Sequence, residues 1–405
     1  DLATVDHRER SRLVSVSPGD VLAVKTPAKL GEQGIDVTGK IWEPPFPKII
    51  NLQVGPGVEL IEDGLKAVAT ADGQPMMKGS MLVVAPVYQV KAVNLETGNI
   101  RFKGTVMVQA NVDENMVIEA KDNVEVAGSV NAAFVIAGNH ISVRKSVVAG
   151  KLQAGGEAAT YQTILTYLRQ IPQLLTAMEA KSNMAREAMQ KKGIQEKVSD
   201  GYLIKLMLEN MYPQIGKAIN ELVAYVDYDQ KKLDDQVQEL IVFLQKAFTG
   251  LGPTQLDFSQ LGKIKQVIFQ VIGKLQQLTE VKANIEVGYA QNARLEASGD
   301  VVITGKGCYN ADIKAGGTVR ATGKPGVFRG GTIIAGGNVE IGELGTPTGA
   351  ATQVTVPKAA KITARMVYPN VIIKIGNFSE RIQNHYSHYE AWVSERGLET
   401  SKKNA

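Results

Sequence analysis

Between Ile100 and Ile136 a branched aliphatic residue occupies every sixth position: Ile100, Val106, Val112, Ile118, Val124, Val130 and Ile136. Three such steps make an 18-residue unit, the length of one turn of a triangular β-helix with three short strands per rung. A single rung cannot bury its own inward row, so stacking is obligatory and the product is a rod with an aliphatic core. The pattern shifts by one residue after Ile136, continues as Ile141 and Val147, and then stops. It resumes as Leu295, Val301, Gly307, Ile313 and Val319, with Val339 following and the last rungs running through Val354, Val356, Ile362 and Val371–Ile375.

Similar corner phrases recur on both sides of the gap. They are Ala120-Lys-Asp-Asn-Val124 and Ala137-Gly-Asn-His-Ile141, then Ala297-Ser-Gly-Asp-Val301, Ala315-Gly-Gly-Thr-Val319 and Ala335-Gly-Gly-Asn-Val339. The recurrence predicts one solenoid interrupted by an insertion. Corner Asp and Asn residues are expected to bond their own turns.

Across the gap the period changes from two to about 3.5. Ile164, Leu168, Ile171, Leu175 and Met178 form one stripe, and Ile264, Val267, Val271 and Leu275 another. Between them lie Ile215, Ile219, Leu222 and Val226, then Leu233, Val237, Leu240 and Leu244. Heptads with Glu, Gln and Lys between them predict a coiled-coil arm. Pro172, Gly193, Ser199-Asp-Gly201, Pro213 and Gly250-Leu-Gly-Pro253 mark its ends or kinks. Four helical segments are expected, 157–192, 202–212, 214–249 and 256–284.

The resulting fold class is mainly β with an α-helical insertion: a right-handed parallel β-helix split by a coiled-coil arm. Five regions follow. They are a small β-rich N-terminal domain (1–92, short apolar runs punctuated by Gly and Pro), a first β-helix part (93–155), the helical insertion (156–290), a second β-helix part (291–377), and a helical cap with a frayed polar tail (378–405).

Composition narrows the function classes. The charged residues, 45 basic and 41 acidic, are interleaved and give a net charge of +4. No basic face is concentrated enough to favour nucleic acid. Cys308 is the only cysteine, which excludes an intrachain disulfide and fits a reducing, cytoplasmic location. Asp1–Asp6 shows no signal-peptide pattern, and no run of 18 apolar residues predicts a membrane span.

The phrases Gly31-Glu-Gln-Gly34-Ile-Asp-Val-Thr-Gly39-Lys40, Thr97-Gly-Asn-Ile100-Arg-Phe-Lys-Gly104, Gly330-Gly-Thr-Ile-Ile-Ala-Gly-Gly-Asn-Val339-Glu-Ile-Gly342 and Thr352-Gln-Val-Thr-Val356 occur in an order that resembles the FapA-type flagellar assembly protein A family. The resemblance covers nearly the whole chain. It implies a right-handed β-helix akin to the MinC C-terminal domain and the bactofilins, in a cytoplasmic bacterial protein of surface or polar organisation. It carries no catalytic residues.

Enzymatic motifs fail on inspection. Gly34-Ile-Asp-Val-Thr-Gly39-Lys40 has the Walker spacing, but Ile41 stands where Ser or Thr should hold magnesium. The following Trp42-Glu-Pro-Pro45 cannot open a phosphate-binding helix. His140 lies in a corner phrase, and Asp122, Asp300 and Asp312 are isolated corner residues. His385 and His388, spaced on one face of the expected tail helix beside Glu390, read as cap packing with Tyr386 and Tyr389. Cys308 reads as a rung residue. No catalytic, cofactor-binding or metal site is assigned, and no cofactor.

The residues singled out are therefore structural. The β-helix core is Val106, Val112, Ile118, Val124, Val130, Val301, Ile313, Val319 and Val339. The self-association stripe is Ile215, Ile219, Leu222, Val226, Leu233, Val237, Leu240 and Leu244. The reading is a non-enzymatic scaffold that forms a homodimer through its arm and docks a protein partner. The rival readings are a β-helical enzyme acting on glycan or acyl substrates, and a ligand- or partner-sensing N-terminal domain.

Overall fold

The computed structural model describes residues 8, 13–48, 50–191, 199–228, 233–321 and 323–404. The expectation for Asp1–Asp6, the mark at Gly193 and residues 229–232 of the expected 214–249 helix lie outside these. The chain divides into two units, Asp1–Gly150 and Lys151–Ala405.

The first unit opens with short strands. Val21–Val24, Lys66–Ala69 and Val58–Ile61 form an antiparallel sheet, and Met81–Ala85 pairs with both Gln53–Val54 and Gln74–Lys78. Their shared core is small: Val16, Val58, Ala67, Ala69 and Val84. Gly34–Ile35 and Ile41–Trp42 make a separate hairpin.

Stacking begins ahead of residue 93, because Val87–Val90 already pairs in parallel with Thr105–Val108. Three parallel columns follow: Ile100–Ile118–Val135, Val106–Val124–Ile141, and Val112–Val130–Val147. All of these side chains are buried. The one-residue shift falls before Ile136, not after it. Val135 sits on Ile118 and is fully buried, while Ile136 pairs with Glu119 and is only partly buried. The corner between Val130 and Val135 is one residue shorter than the one between Val112 and Ile118, so the neighbouring β-branched residue takes the inward place.

The corners have two devices. Asn111 Oδ1 accepts from Ser129 N (2.9 Å), Asn123 Oδ1 from His140 N (3.0 Å), Asn284 Oδ1 from Asp300 N (2.8 Å) and Asn338 Oδ1 from Lys361 N (2.9 Å). These side chains bond the rung above, a contact that the expectation of own-turn bonding did not include. Corner glycines permit close stacking: a Cβ on Gly138 would lie 2.0 Å from the Lys121 carbonyl oxygen.

The second unit carries the same architecture. Leu152, Leu295, Ile313, Ile333, Val354 and Ile373 form one inward column, and Ile285, Val301, Val319, Val339 and Ile362 another. Every member is fully buried. In the third column Cys308, not Gly307, points inward between Ala290 and Phe328. Gly307 has φ +133° and stands where a Cβ would meet the Val327 carbonyl oxygen at 2.1 Å.

The insertion leaves after Lys151–Ala154 and returns at Ile285–Gln291, and Arg294–Ala297 then stacks in register on Lys151–Ala154. It consists of α1 (Gly156–Leu168), α2 (Gln170–Lys191), α3 (Asp200–Asn210), α4 (Pro213–Tyr228), α5 (Asp235–Phe248) and α6 (Phe258–Leu278). The single stretch expected over 157–192 breaks at Arg169, where Pro172 cannot donate to the preceding turn. The 214–249 stretch divides because Asp234 caps α5, accepting from Gln236 N at 3.1 Å. A capping box of Asp257 and Gln260 starts α6.

The expected tail helix is absent. Phe378–Arg381, Tyr386–Ser394 and Gly397–Asn404 are strands, antiparallel to the last rungs or to each other. Tyr389 and Ala391 are buried at a spacing of two, the strand period. The strands cover the final edge as a cap must. The tail beyond Thr400, expected to fray, is paired: Ser401 opposite Glu390 and Asn404 opposite Tyr386.

Candidate functional site

In the second unit the solenoid face under the helices carries two outward columns. Pairing aligns Arg294, Asp312, Thr332 and Gln353 in one, and Glu296, Lys314 and Ile334 in the other. Successive members are about 4.8 Å apart, the parallel-strand spacing. Polar groups at that spacing form a ladder.

The helices lie across it. Glu296 is fully buried, and the Tyr225 hydroxyl of α4 donates to its Oε2 at 3.1 Å. Lys314 Nζ sits 3.7 Å from the Tyr225 ring centroid and 4.0 Å from Glu296 Oε1. The lysine thus supplies a cation–π contact on one side and compensates a buried carboxylate on the other. Burial, and then the Glu296 charge, push the Tyr225 hydroxyl well above its ordinary pKa. Burial followed by the Glu221 charge does the same to Tyr167. Both phenols keep their protons at neutral pH, and that of Tyr225 is the donor to Glu296. Beside them a cleft of about 410 Å³ is lined by Glu221, Tyr225, Arg294, Asp312, Lys314 and Gln353, among others. Chemically the arrangement clamps helix to strand and offers paired charges to a polar molecule. Glu296 alternates with the inward Leu295, so its outward position was readable from the chain; its burial depends on distant helices and was not.

The residues singled out from the sequence sit elsewhere. Val106, Val112, Ile118, Val124, Val130, Val301, Ile313, Val319 and Val339 are fully buried within the rungs. Ile215, Ile219, Leu222, Val237, Leu240 and Leu244 are buried in the helical core, with Val226 and Leu233 packed against it. That core also takes in Ile334 of the solenoid, so the insertion packs onto the strands. The expected self-association stripe is consumed inside one chain. In α6, Ile268 and not Val267 completes the buried stripe.

His140 is an exposed corner residue. His385 stacks on Tyr368 at 4.5 Å, and His388 sits on a strand bulge with φ +50°. Among the described residues no group of three or more His, Cys, Asp or Glu is placed to hold a metal ion. Burial raises the Cys308 thiol to about 12. The Gly34–Lys40 phrase forms the hairpin turn and leads into a strand.

Comparison with known families settles the kinship. Residues 1–80 match the Flagellar Assembly Protein A N-terminal region, and residues 86–267 and 265–365 match the Flagellar Assembly Protein A beta solenoid domain. The chain belongs to the Flagellar Assembly Protein A family. No curated protein and no solved structure matches it. Within this Flagellar Assembly Protein A chain the solenoid match begins at residue 86, beside the first stacked strand, and spans the helical insertion. No helix among the described residues is long and apolar enough to cross a membrane.

Proposed function

We propose that this chain is a non-enzymatic cytoplasmic scaffold of flagellar or polar organisation, built on a right-handed solenoid that presents its surfaces to protein partners. The observation that carries the reading is the Flagellar Assembly Protein A match over both the N-terminal region and the solenoid. The right-handedness is what the resemblance to that family implies. The residue columns support a structural role, since aliphatic side chains fill each rung and short polar ones join successive corners.

The dimer expected through the helical stripe has lost its motive, because that stripe is covered by its own chain. Deleting the gene in the source cell and counting flagella by electron microscopy tests the reading. Altered number or position of flagella at normal growth rate is the expected result. Unchanged flagellation and motility would overturn it.

A further inference from the structure

A cavity of about 450 Å³ opens at a corner of the second unit, where the late rungs meet the cap strand Tyr386–Ser394. It shares no lining residue with the cleft beside Tyr225. Two glycines leave the corner bare. A Cβ on Gly323 would lie 1.7 Å from the Gly305 carbonyl oxygen. One on Gly342 would lie 1.9 Å from the Pro325 carbonyl oxygen and 2.6 Å from an Arg365 guanidinium nitrogen. Neither place admits a side chain, so approach to the main chain stays open.

The exposed side chains on the cavity wall are unevenly charged. Lys324, Arg365 and His388 all face it. Arg365 and His388 fall side by side, between the antiparallel pairs Ala364–Tyr389 and Met366–Ser387. The Arg365 guanidinium donates to the carbonyl oxygen of Pro325, the residue after Lys324, which draws the two cations together. A guanidinium has five N–H donors, and this bond uses one. Two carboxylates also line the cavity. Glu390 is neutralised by Lys361 at 2.6 Å. Glu340 lies on the outward column between Arg320 and Thr363, and the Thr363 hydroxyl shares its wall.

We infer that this cavity binds a small hydroxylated phosphate monoester. Its phosphate sits against Lys324 and Arg365, and its hydroxyls meet Glu340 and Thr363. Two neighbouring cations match a group carrying about −1.5 to −2 charges at neutral pH, which a single carboxylate does not. The guanidinium fork suits phosphate oxygens, and the lysine adds a point charge. Glu340 selects what lies beyond the phosphate: its carboxylate accepts from a hydroxyl and repels a second anionic group. A polyanion or an anionic lipid surface is therefore disfavoured. The volume lies within the range of small-ligand pockets and exceeds what a bare phosphate fills.

The inference goes beyond the scaffold reading and fails separately from it, because a chain that binds no ester leaves the deletion phenotype as it is. The test is calorimetric titration of the full chain with glycerol 3-phosphate and ribose 5-phosphate, beside glycerol and inorganic phosphate. At least one ester should bind one-to-one and more tightly than inorganic phosphate, and glycerol should not bind. A hydrogen bond to a charged group is worth more than tenfold in affinity. Lys324→Gln and Arg365→Gln should each weaken the ester at least tenfold with unchanged circular dichroism. Lys246→Gln, at an exposed position of α5, should not. Glu340→Gln should weaken the ester and spare inorganic phosphate. Failure of both esters to bind at millimolar concentration overturns the inference. So does inorganic phosphate binding as tightly as the esters, an adventitious ion only, or ester affinity unmoved by both cation variants. A phosphoserine peptide that binds more tightly than either ester also overturns it and assigns the cavity to a phosphorylated protein.

Discussion

Asp300 and Thr318 lie 18 residues apart in the chain, and the aspartate Oδ1 accepts a hydrogen bond from the Thr318 main-chain N–H at 2.7 Å. Asp300 N itself donates to Asn284 Oδ1, so the residue receives the rung below and caps the rung above. Parallel stacking brings successive corners to about 4.8 Å, within reach of a side chain as short as Asp or Asn. Replacing Asp300 with Ala should cost about 1.5–3 kcal/mol, the net value of a hydrogen bond to a charged group, whereas Asp300→Asn retains an acceptor and should cost less. Urea denaturation of the two variants checks this, and equal losses would remove the special role of the acceptor.

Val124 and Val319 are fully buried in the second column of their respective units. Val124→Asp or Val319→Asp would bury a carboxylate among aliphatic side chains and cost several kcal/mol. A thermal melt should show either variant unfolded or strongly destabilised. A melt matching the parent would mean that the inward register is wrong.

Two glycines should respond in opposite directions to alanine. In Gly138→Ala the new Cβ meets the Lys121 carbonyl oxygen at 2.0 Å, and a loss of about 1–3 kcal/mol is expected from overpacking. Gly216, in α4, has nothing within 4 Å of its Cβ position, so Gly216→Ala should raise stability by about 1 kcal/mol through helix propensity. Denaturation midpoints of the pair decide the matter.

Asp36 has its pKa lowered to about 2, chiefly by the hydrogen bonds from Thr38 and Trp42. A carboxylate depressed on folding contributes stability that is present above its ordinary value near 3.8 and is lost as pH falls through about 2. The Trp42 indole N–H resonance, followed in a Trp392→Phe background, should hold steady from neutral pH to about 4 and move only as pH nears 2. A midpoint near 4 would show that the hairpin does not hold Asp36 ionised.

Much of the solenoid was legible because its cause is local and repeated: a branched aliphatic at most inward positions, and short polar residues or glycine at the recurring corners. The shift at Val135–Ile136 was misplaced since both neighbours are β-branched and either satisfies the pattern. The terminal strand Tyr386–Ser394 resembles a helix because its aromatic residues Tyr386, Tyr389 and Trp392 recur every three positions, while the deciding alternation of Tyr389 and Ala391 spans only two inward positions. The helical stripes were visible, but what covers them was not. Whether Leu222 and Leu244 face each other or another molecule depends on how helices distant in sequence pack. The Tyr225–Glu296 clamp was hidden for the same reason, since it joins residues 71 positions apart.

The central claim is that this Flagellar Assembly Protein A chain works by presenting surfaces and not by chemistry in its cleft. The most direct measurement is complementation of the gene deletion with an Arg294→Gln/Asp312→Asn chain, which removes two ladder charges and keeps side chains of similar size. Provided circular dichroism matches the parent, the account predicts that flagellar number and position return to those of the undeleted cell. A folded double variant that fails to restore them would contradict the account and point to an activity seated in the ladder.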